Sequence, residues 1–487
     1  MSEEVRNLEP KVVWNYFADL NEVPRASKKE DQVQEFMMNF GKSLGLETIK
    51  DATGNILIRK PATPGMENRK GVVLQGHLDM VHQKNGDTDF DFATEGIKMY
   101  IDGDWVKAKG TTLGADNGLG VAAAMAVLAA TDISHGAIEA LFTADEETGM
   151  TGANNLEPNW LKGDILLNLD TEDEGELCIG CAGGIDTTIN YIYASENVPA
   201  NYVTYDLNIK GLFGGHSGCD IHLQRGNSNK LLSRFLASAN QKFDVRLVSF
   251  NGGSLRNAIP REVASKITLE IGNVQALKDM LFEFEKTVRL EYRLTDPDLF
   301  IEFSEALDPR QHIVKADSDK MIHALNASRN GVYRMSSDFE GLVETSTNLS
   351  RVQIEKGSMN VDFLTRSSTE EPKLDLKNQI ESLYTLMGGT VTHGGSYPGW
   401  TPNPSSSILE TMKGIHLDYF GEKPLVNAVH AGLECGIISQ TQPKLDMISF
   451  GPTIKNAHSP DEKANIPTTE RFWGYLVKVL AEIPAKD

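Results

Sequence analysis

Apolar and polar positions follow different rhythms in different parts of this chain. Five short apolar runs read as strands: NILIRK at 55–60, GVVLQGHLD at 71–79, IEALFTADEE at 138–147, DILLNLD at 164–170 and LDMISFGP at 445–452. Between the second and third of them, LGVAAAMAVLAA at 119–130 carries no charge and predicts a helix buried against a sheet. Earlier, Ser27-Lys28-Lys29-Glu30 has the form of a capping box, and Val33, Phe36, Met37 and Phe40 follow at helical spacing, which predicts an amphipathic surface helix. Strands alternating with helices predict an α/β sandwich with a mostly parallel sheet.

The rhythm changes between about Thr187 and Thr392. Alternating strands such as YVTYDLNIKG and amphipathic helices such as VQALKDMLFEFEKTV predict an α+β insertion. Within it, LRNAIPREVASKITLEI and the helix at 275–288 parallel TNLSRVQIEKGSMNVDFLTRS and DLKNQIESLYTLM, two strands leading into one helix each time. The expected organisation is therefore a discontinuous domain of 1–186 and 393–487, interrupted by an inserted domain at 187–392.

Composition narrows the function. A chain of 487 residues is too long for one core, and 47 Lys+Arg against 68 Asp+Glu leave a formal net charge of −21. Such a field repels nucleic-acid backbones and anionic lipid, so neither is an expected partner. The first residues, MSEEVRNLEP, lack the apolar core of a signal peptide, and no apolar run approaches the ~20 residues of a membrane span. With only four cysteines, the expected compartment is the reducing cytoplasm, and Cys178-Ile179-Gly180-Cys181 has no second pair to complete a zinc site.

The strand ends carry the chemistry. VVLQGHLDM ends in His77 and Asp79, which extended backbone places on the same side of the strand. Asp116 lies in GADNG just before the buried helix, Glu146 and Glu147 close ALFTADEE, Asp170 closes DILLNLD, and His458 follows MISFGP in NAHSPDE. A lone His-x-Asp is more often an ordinary polar pair, but ligands bind at the carboxyl ends of parallel strands, and here several strands deliver acids or imidazoles there together. Without cations such a cluster would suffer repulsion and desolvation, and imidazole plus carboxylate without thiolate suits zinc or a similar metal.

At this point the motifs resemble a known family. GHLDMV, GADNG, DEETG, the Asp170 strand end and HSPDE are similar to the five ligand motifs of the di-zinc exopeptidases. KPATPGMENRK, KGTTLGADNG, GGHSG, LRNAIPRE, YPGW and HAGLECG bring the resemblance closer to the cytosolic bacterial aminoacyl-histidine dipeptidases. The resemblance spans nearly the whole chain and implies a three-layer sandwich with an inserted lid domain. It implies two divalent ions, zinc with cobalt or manganese as alternatives. Asp116 would bridge them, with His77 and Asp170 on one and Glu147 and His458 on the other. Glu146 would be the general base, Asp79 the carboxylate that orients His77, and the 116–117 peptide would be cis.

For substrate, the resemblance implies His216 as the lid histidine that stabilises the oxyanion, with Asn257 and Arg366 meeting a free carboxylate. His430 and Glu434 keep open roles between lining the pocket and supporting the ligands. The insertion is longer than the single lid module usual in dimeric relatives, as expected if two modules are fused and His216 acts within its own chain; a homodimer remains an open expectation. The implied activity is hydrolysis of dipeptides with a free carboxyl terminus, preferring Xaa-His such as carnosine. The alternatives are an N-acyl amino acid deacylase and a non-catalytic binding protein on a peptidase scaffold. Neither a GxSxG elbow nor HExxH is present.

Overall fold

The computed structural model describes residues 3–486, which form two compact units. The first comprises the chain up to Gly180, Trp400–Ala428 and the chain from Leu433 onward; the second comprises Cys181–Gly399 and Val429–Gly432. In chain order the strands of the two large sheets begin with β1 (Glu47–Lys50), β2 (Ile56–Lys60), β3 (Val72–His77), β4 (Ile138–Thr143), β5 (Ile165–Asn168) and β6 (Glu176–Cys181). Next come β7 (Gly183–Ile192), β8 (Tyr202–Lys210), β9 (Arg246–Gly252), β10 (Val263–Glu270) and β11 (Phe300–Glu305). The series ends with β12 (Val343–Glu355), β13 (Ser358–Ser367), β14 (Thr390–Tyr397), β15 (Leu425–Val429) and β16 (Asp446–Ser449).

In the first unit the sheet order is β1-β2-β4-β3-β5-β16-β6-β15. The centre, β4-β3-β5-β16, is parallel. Its strands β3, β4 and β5 are buried throughout, which is why they read as continuous apolar runs rather than alternating ones. Toward the edges the pairing turns antiparallel, at β2 beside β4 and at β6 beside β16. Two helices, α1 (Lys11–Asn21) and α3 (Ala115–Ala129), share a core in which Val13, Trp14 and Phe17 meet Leu119, Ala122 and Ala126. The alanine-rich surface of α3 lets both α1 and β3 approach closely.

Helix α2 (Asp31–Ser43) buries Val33 and Met37 and leaves Phe36 and Phe40 half-buried, but it begins without the expected capping box. Ser27 Oγ instead donates to the Met80 carbonyl, and the Glu30 carboxylate accepts the Lys28 N–H at 2.6 Å. Pairing of this segment with the continuation of β3 at Met80 outcompetes the local cap.

The second unit holds a nine-stranded sheet ordered β11-β8-β10-β9-β12-β13-β7-β14, with Gly331–Met335 added against β12. The pattern β8–α4 (Ser228–Asn240)–β9–β10–α5 (Val274–Glu291)–β11 recurs as β7–α6 (Lys315–Ala327)–β12–β13–α7 (Glu370–Met387)–β14. The first set is inserted after β7 of the second, and the two join through antiparallel pairing of β9 with β12. One continuous core runs under both sets.

Candidate metal centre and substrate-side cluster

Because β3, β4 and β5 run parallel, their carboxyl ends emerge together and carry His77, Glu146–Glu147 and Asp170 to one edge of the first unit. Asp116 arrives from the start of α3, where it and Asn117 have non-helical backbone. His458 arrives on the 456–462 tip of a hairpin, Ile454–Lys455 with Lys463–Asn465, that pairs with Trp105–Ala108 in a small separate sheet. Asp116 then stands between two imidazoles: Oδ1 lies 3.1 Å from His77 Nε2 and Oδ2 lies 3.1 Å from His458 Nε2. Asp170 Oδ1 is 3.5 Å from the same His77 nitrogen, and Glu147 Oε2 is 3.0 Å from His458 Nε2. The five side chains thus divide into two triads sharing Asp116, each with ligand atoms within 4.8 Å of one another. The Asp116-Asn117 peptide is cis, and His458 holds a left-handed backbone with φ +65.

The donor set fits cations. Glu147 Oε1 and Asp170 Oδ1 are buried without hydrogen-bond partners. Burial works against a charged His77, yet Asp170, Asp116 and Asp79 outweigh it and raise its pKa well above the ordinary imidazole value. Hydrogen bonds to Asp116 and Glu147 raise His458 to about 11. Burial pushes Asp170 up to about 6 and Glu172 to about 8, and raises Glu146 well above the usual carboxylate range. Protons are standing in for positive charge that divalent ions would supply.

His77 Nδ1 lies closest to the backbone carbonyl of Asp79, at 3.1 Å, and the Asp79 carboxylate has several partners. Its Oδ1 lies 3.4 Å from His77 Nδ1 and also accepts the Glu146 N–H at 2.9 Å, while Oδ2 accepts that of Glu147 at 3.3 Å. Asp79, Glu30 and Asp145 form a further buried acidic group, but Asp145 spends its oxygens on the Thr148 and Thr151 hydroxyls. Glu434 lies buried below the cluster, where its Oε2 accepts from Gln75 at 2.7 Å and Thr143 at 2.6 Å. It supports strand ends rather than supplying a member of either triad.

The second unit gathers His216, Arg366 and His430. His216 Nδ1 accepts the N–H groups of Gly218 at 3.3 Å and Cys219 at 3.0 Å. Burial and the Arg366 charge lower the pKa of His216, so the neutral ring carries its proton on Nε2. That Nε2 lies 3.4 Å from Arg366 Nη2, two donors side by side that need a common acceptor. Arg366 is 4% exposed, donates through Nη1 to the Tyr397 hydroxyl at 2.8 Å and leaves Nε unpartnered. The acids Asp186 and Asp362 pair with Arg256, and Asp362 also with Arg351. His430 turns its Nε2 to Ser346 Oγ at 2.7 Å, and burial followed by the Arg366 charge drops its pKa to about 3. Its carbonyl fixes the glycine of GGHSG, because a Cβ on Gly218 would lie 1.9 Å from it. Asn257 contributes its carbonyl to the Ser217 N–H at 2.8 Å, while its side chain is exposed.

The sequence profile of peptidase family M20/M25/M40 matches residues 73–483. The chain belongs to that family. It is 44% identical over 483 residues, 99% of this chain and 100% of the other, to a cytosol non-specific dipeptidase of Escherichia coli K12. The crystal structure of an aminoacylhistidine dipeptidase from Vibrio alginolyticus superposes with a TM-score of 0.95 at 46% identity, covering 100% of both chains. The aminopeptidase PepT of Bacillus cereus, 15% identical with a TM-score of 0.57 over 98% of this chain and 99% of that one, shares the fold.

In this M20 peptidase two residues escaped sequence reading. Arg25 is 1% exposed and donates to the carbonyls of Gly114 at 2.5 Å and of Leu78 and Asp79 at 3.3 Å each. Glu462, 2% exposed, accepts four consecutive N–H groups from Leu113 to Asp116 at 2.7–3.2 Å. Glu462 stood in plain view in HSPDE, four residues after His458, but its partners lie nearly 350 positions away. Arg25, between a helix and a capping-box pattern, carried no local signal.

Proposed function

We propose that this chain is a metal-dependent dipeptidase that hydrolyses dipeptides with a free carboxyl terminus, preferring Xaa-His substrates such as carnosine. The observation that carries the reading is one carboxylate, Asp116, with each oxygen 3.1 Å from a different imidazole. His77 and Asp170 would hold one divalent ion, Glu147 and His458 the other, and Asp116 both, with zinc the first choice and cobalt or manganese the alternatives. Bound there, two such ions polarise a carbonyl and acidify water.

The chain's own residues supply the rest. Glu146, raised well above the usual carboxylate range by burial, is suited to take a proton from the attacking water and return it to the leaving amine. Asp79 holds the His77 ring and the backbone that carries Glu146 and Glu147. Arg366 suits the substrate carboxylate, and the Nε2–H of His216 suits the oxyanion, with Asn257 and His430 at the margins of that cluster. We assign the first unit to a three-layer catalytic domain and the second, which takes in 187–392, to a lid of two fused modules, whose His216 serves its own chain. The names of the Escherichia and Vibrio relatives support dipeptide substrates, Xaa-His among them, and a cytoplasmic location. No described helix is long and apolar enough to cross a membrane.

The test is turnover of carnosine, other dipeptides, a tripeptide and N-acetylhistidine by protein stripped of metal and reloaded with zinc, cobalt or manganese. The reading expects activity to vanish and return, with dipeptides ahead of the acylated amino acid and carnosine ahead of dipeptides without histidine. Activity that survives complete stripping would overturn it, and equal turnover of N-acetylhistidine would make the protein a deacylase.

A further inference from the structure

The two glycines of GADNG are explained by a side chain outside the motif. Gly114 has φ +69, and a Cβ there would lie 2.5 Å from Arg25 Nη2 and 2.8 Å from Met80 Sδ. At Gly118 a Cβ would lie 2.7 Å from the same nitrogen. The turn that presents Asp116 is therefore moulded around a buried guanidinium. Arg25 ties that turn, through the Gly114 carbonyl, to the end of β3, through the carbonyls of Leu78 and Asp79 next to His77. From another strand pair, Glu462 grips the turn by its donors: Oε2 takes the N–H groups of Leu113 at 2.7 Å and Gly114 at 2.9 Å, and Oε1 takes those of Ala115 at 2.8 Å and Asp116 at 3.2 Å. Glu462 rides on the same hairpin tip as His458, so one hairpin carries a ligand and the clamp on its shared partner.

We propose that Arg25 and Glu462 are positioning residues that fix the Asp116 carboxylate between His77 and His458, so that the cradle for two cations is set before either arrives. The inference rests on the metal-peptidase reading above. A ligand held by fixed partners loses little conformational freedom on binding, and removing such partners typically weakens metal affinity by roughly 10–100-fold. Neither residue belongs to either ligand triad.

Two variants test the proposal. Glu462→Gln keeps one acceptor oxygen but turns an amide donor toward two backbone N–H groups. Arg25→Lys keeps the charge but loses the planar fork that spans carbonyls on two segments. For each, cobalt affinity and stoichiometry are measured by calorimetry, melting of the metal-free protein by circular dichroism, and kcat and KM on a dipeptide at saturating metal. The expected result is folded protein whose cobalt affinity falls roughly 10–100-fold, with kcat reduced more than KM is raised. Wild-type affinity and kcat in both folded variants would overturn the proposal. If one variant fails to fold, the other decides; if neither folds, the pair serves the fold rather than the cradle and the proposal is also overturned. Wild-type protein that takes up no cobalt would instead sink the metal-peptidase reading itself.

Discussion

Glu146 and Glu147 are neighbours in sequence to which the proposed function gives different work. Glu147 closes a triad with Asp116 and His458, whereas Glu146 falls outside the two triads that share Asp116 and groups with His77 and Glu147. Replacing Glu146 by Gln is therefore expected to leave metal content, measured by atomic absorption, at the wild-type level while turnover falls by about 10²–10⁴-fold. Equal loss of metal and turnover would make Glu146 a structural acid. On the substrate side, Arg366→Lys keeps a charge but not the bidentate fork, so KM for free dipeptides is expected to rise roughly tenfold or more with little change in melting temperature. His77, Glu146, Glu147 and Asp170 were legible in the sequence because they close apolar runs, whereas Asp116 and His458 lie in the loop-like stretches GADNG and NAHSPDE. What could not be read was how their atoms are shared: that Asp79 serves a ring and two backbone amides, that His430 is spent on Ser346, and that Asn257 contributes its carbonyl.

Strand β3 shows how an element constrains the site. Gly76 precedes His77, and a Cβ there would lie 2.2 Å from Oδ1 of Asn117, the residue after Asp116. Gly76→Ala is expected to cost ~1–3 kcal/mol, read from the denaturant midpoint, and to weaken metal uptake because Asn117 must shift. An unchanged midpoint would show that Asn117 has room to move. The parallel centre of the sheet was legible because strands buried on both faces are uniformly apolar. The antiparallel entry of β2, between β1 and β4, was not, since a short apolar strand reads much the same in either direction. Nor was the small sheet behind His458, whose Lys463–Asn465 pairs with Trp105–Ala108 across more than 350 positions. The capping-box expectation at Ser27 failed for a related reason, a tertiary bond to Met80 that no local pattern announces.

At the scale of the whole molecule, several buried acids stand close enough to the two triads to feel their charge. In the metal-free chain Glu434 and Glu462 are pushed up to about 7 by burial, Glu172 to about 8, and His458 to about 11 by its carboxylate partners. Each raised group binds a proton more tightly folded than unfolded, so its contribution to stability is complete below its unfolded pKa and is lost as pH rises through the folded one. Between pH 6.5 and 8 the metal-free protein should therefore lose stability. Metal binding displaces protons from its ligands and gains over the same range. The gap in melting temperature between loaded and stripped protein is expected to widen from pH 6.5 to 8, and a constant gap would contradict this account of the buried charges. At this scale the sequence also carried a faint repeat in the insertion. The second copy of the pattern corresponds to β12–β13–α7, but ahead of α5 the segment LRNAIPREVASKITLEI holds only the short Ala258–Ile259 and β10. The strand equivalent to β12 is β9, upstream of that segment, and the pairing of β9 with β12 that joins the two sets lay beyond the pattern.

The central claim is that Asp116 is shared by two cations, and anomalous scattering from crystals of zinc-loaded protein tests it most directly. Two peaks are expected, one among His77, Asp116 and Asp170 and one among Asp116, Glu147 and His458. A single peak, or density at Glu30, Asp79 and Asp145 in place of either, would contradict it.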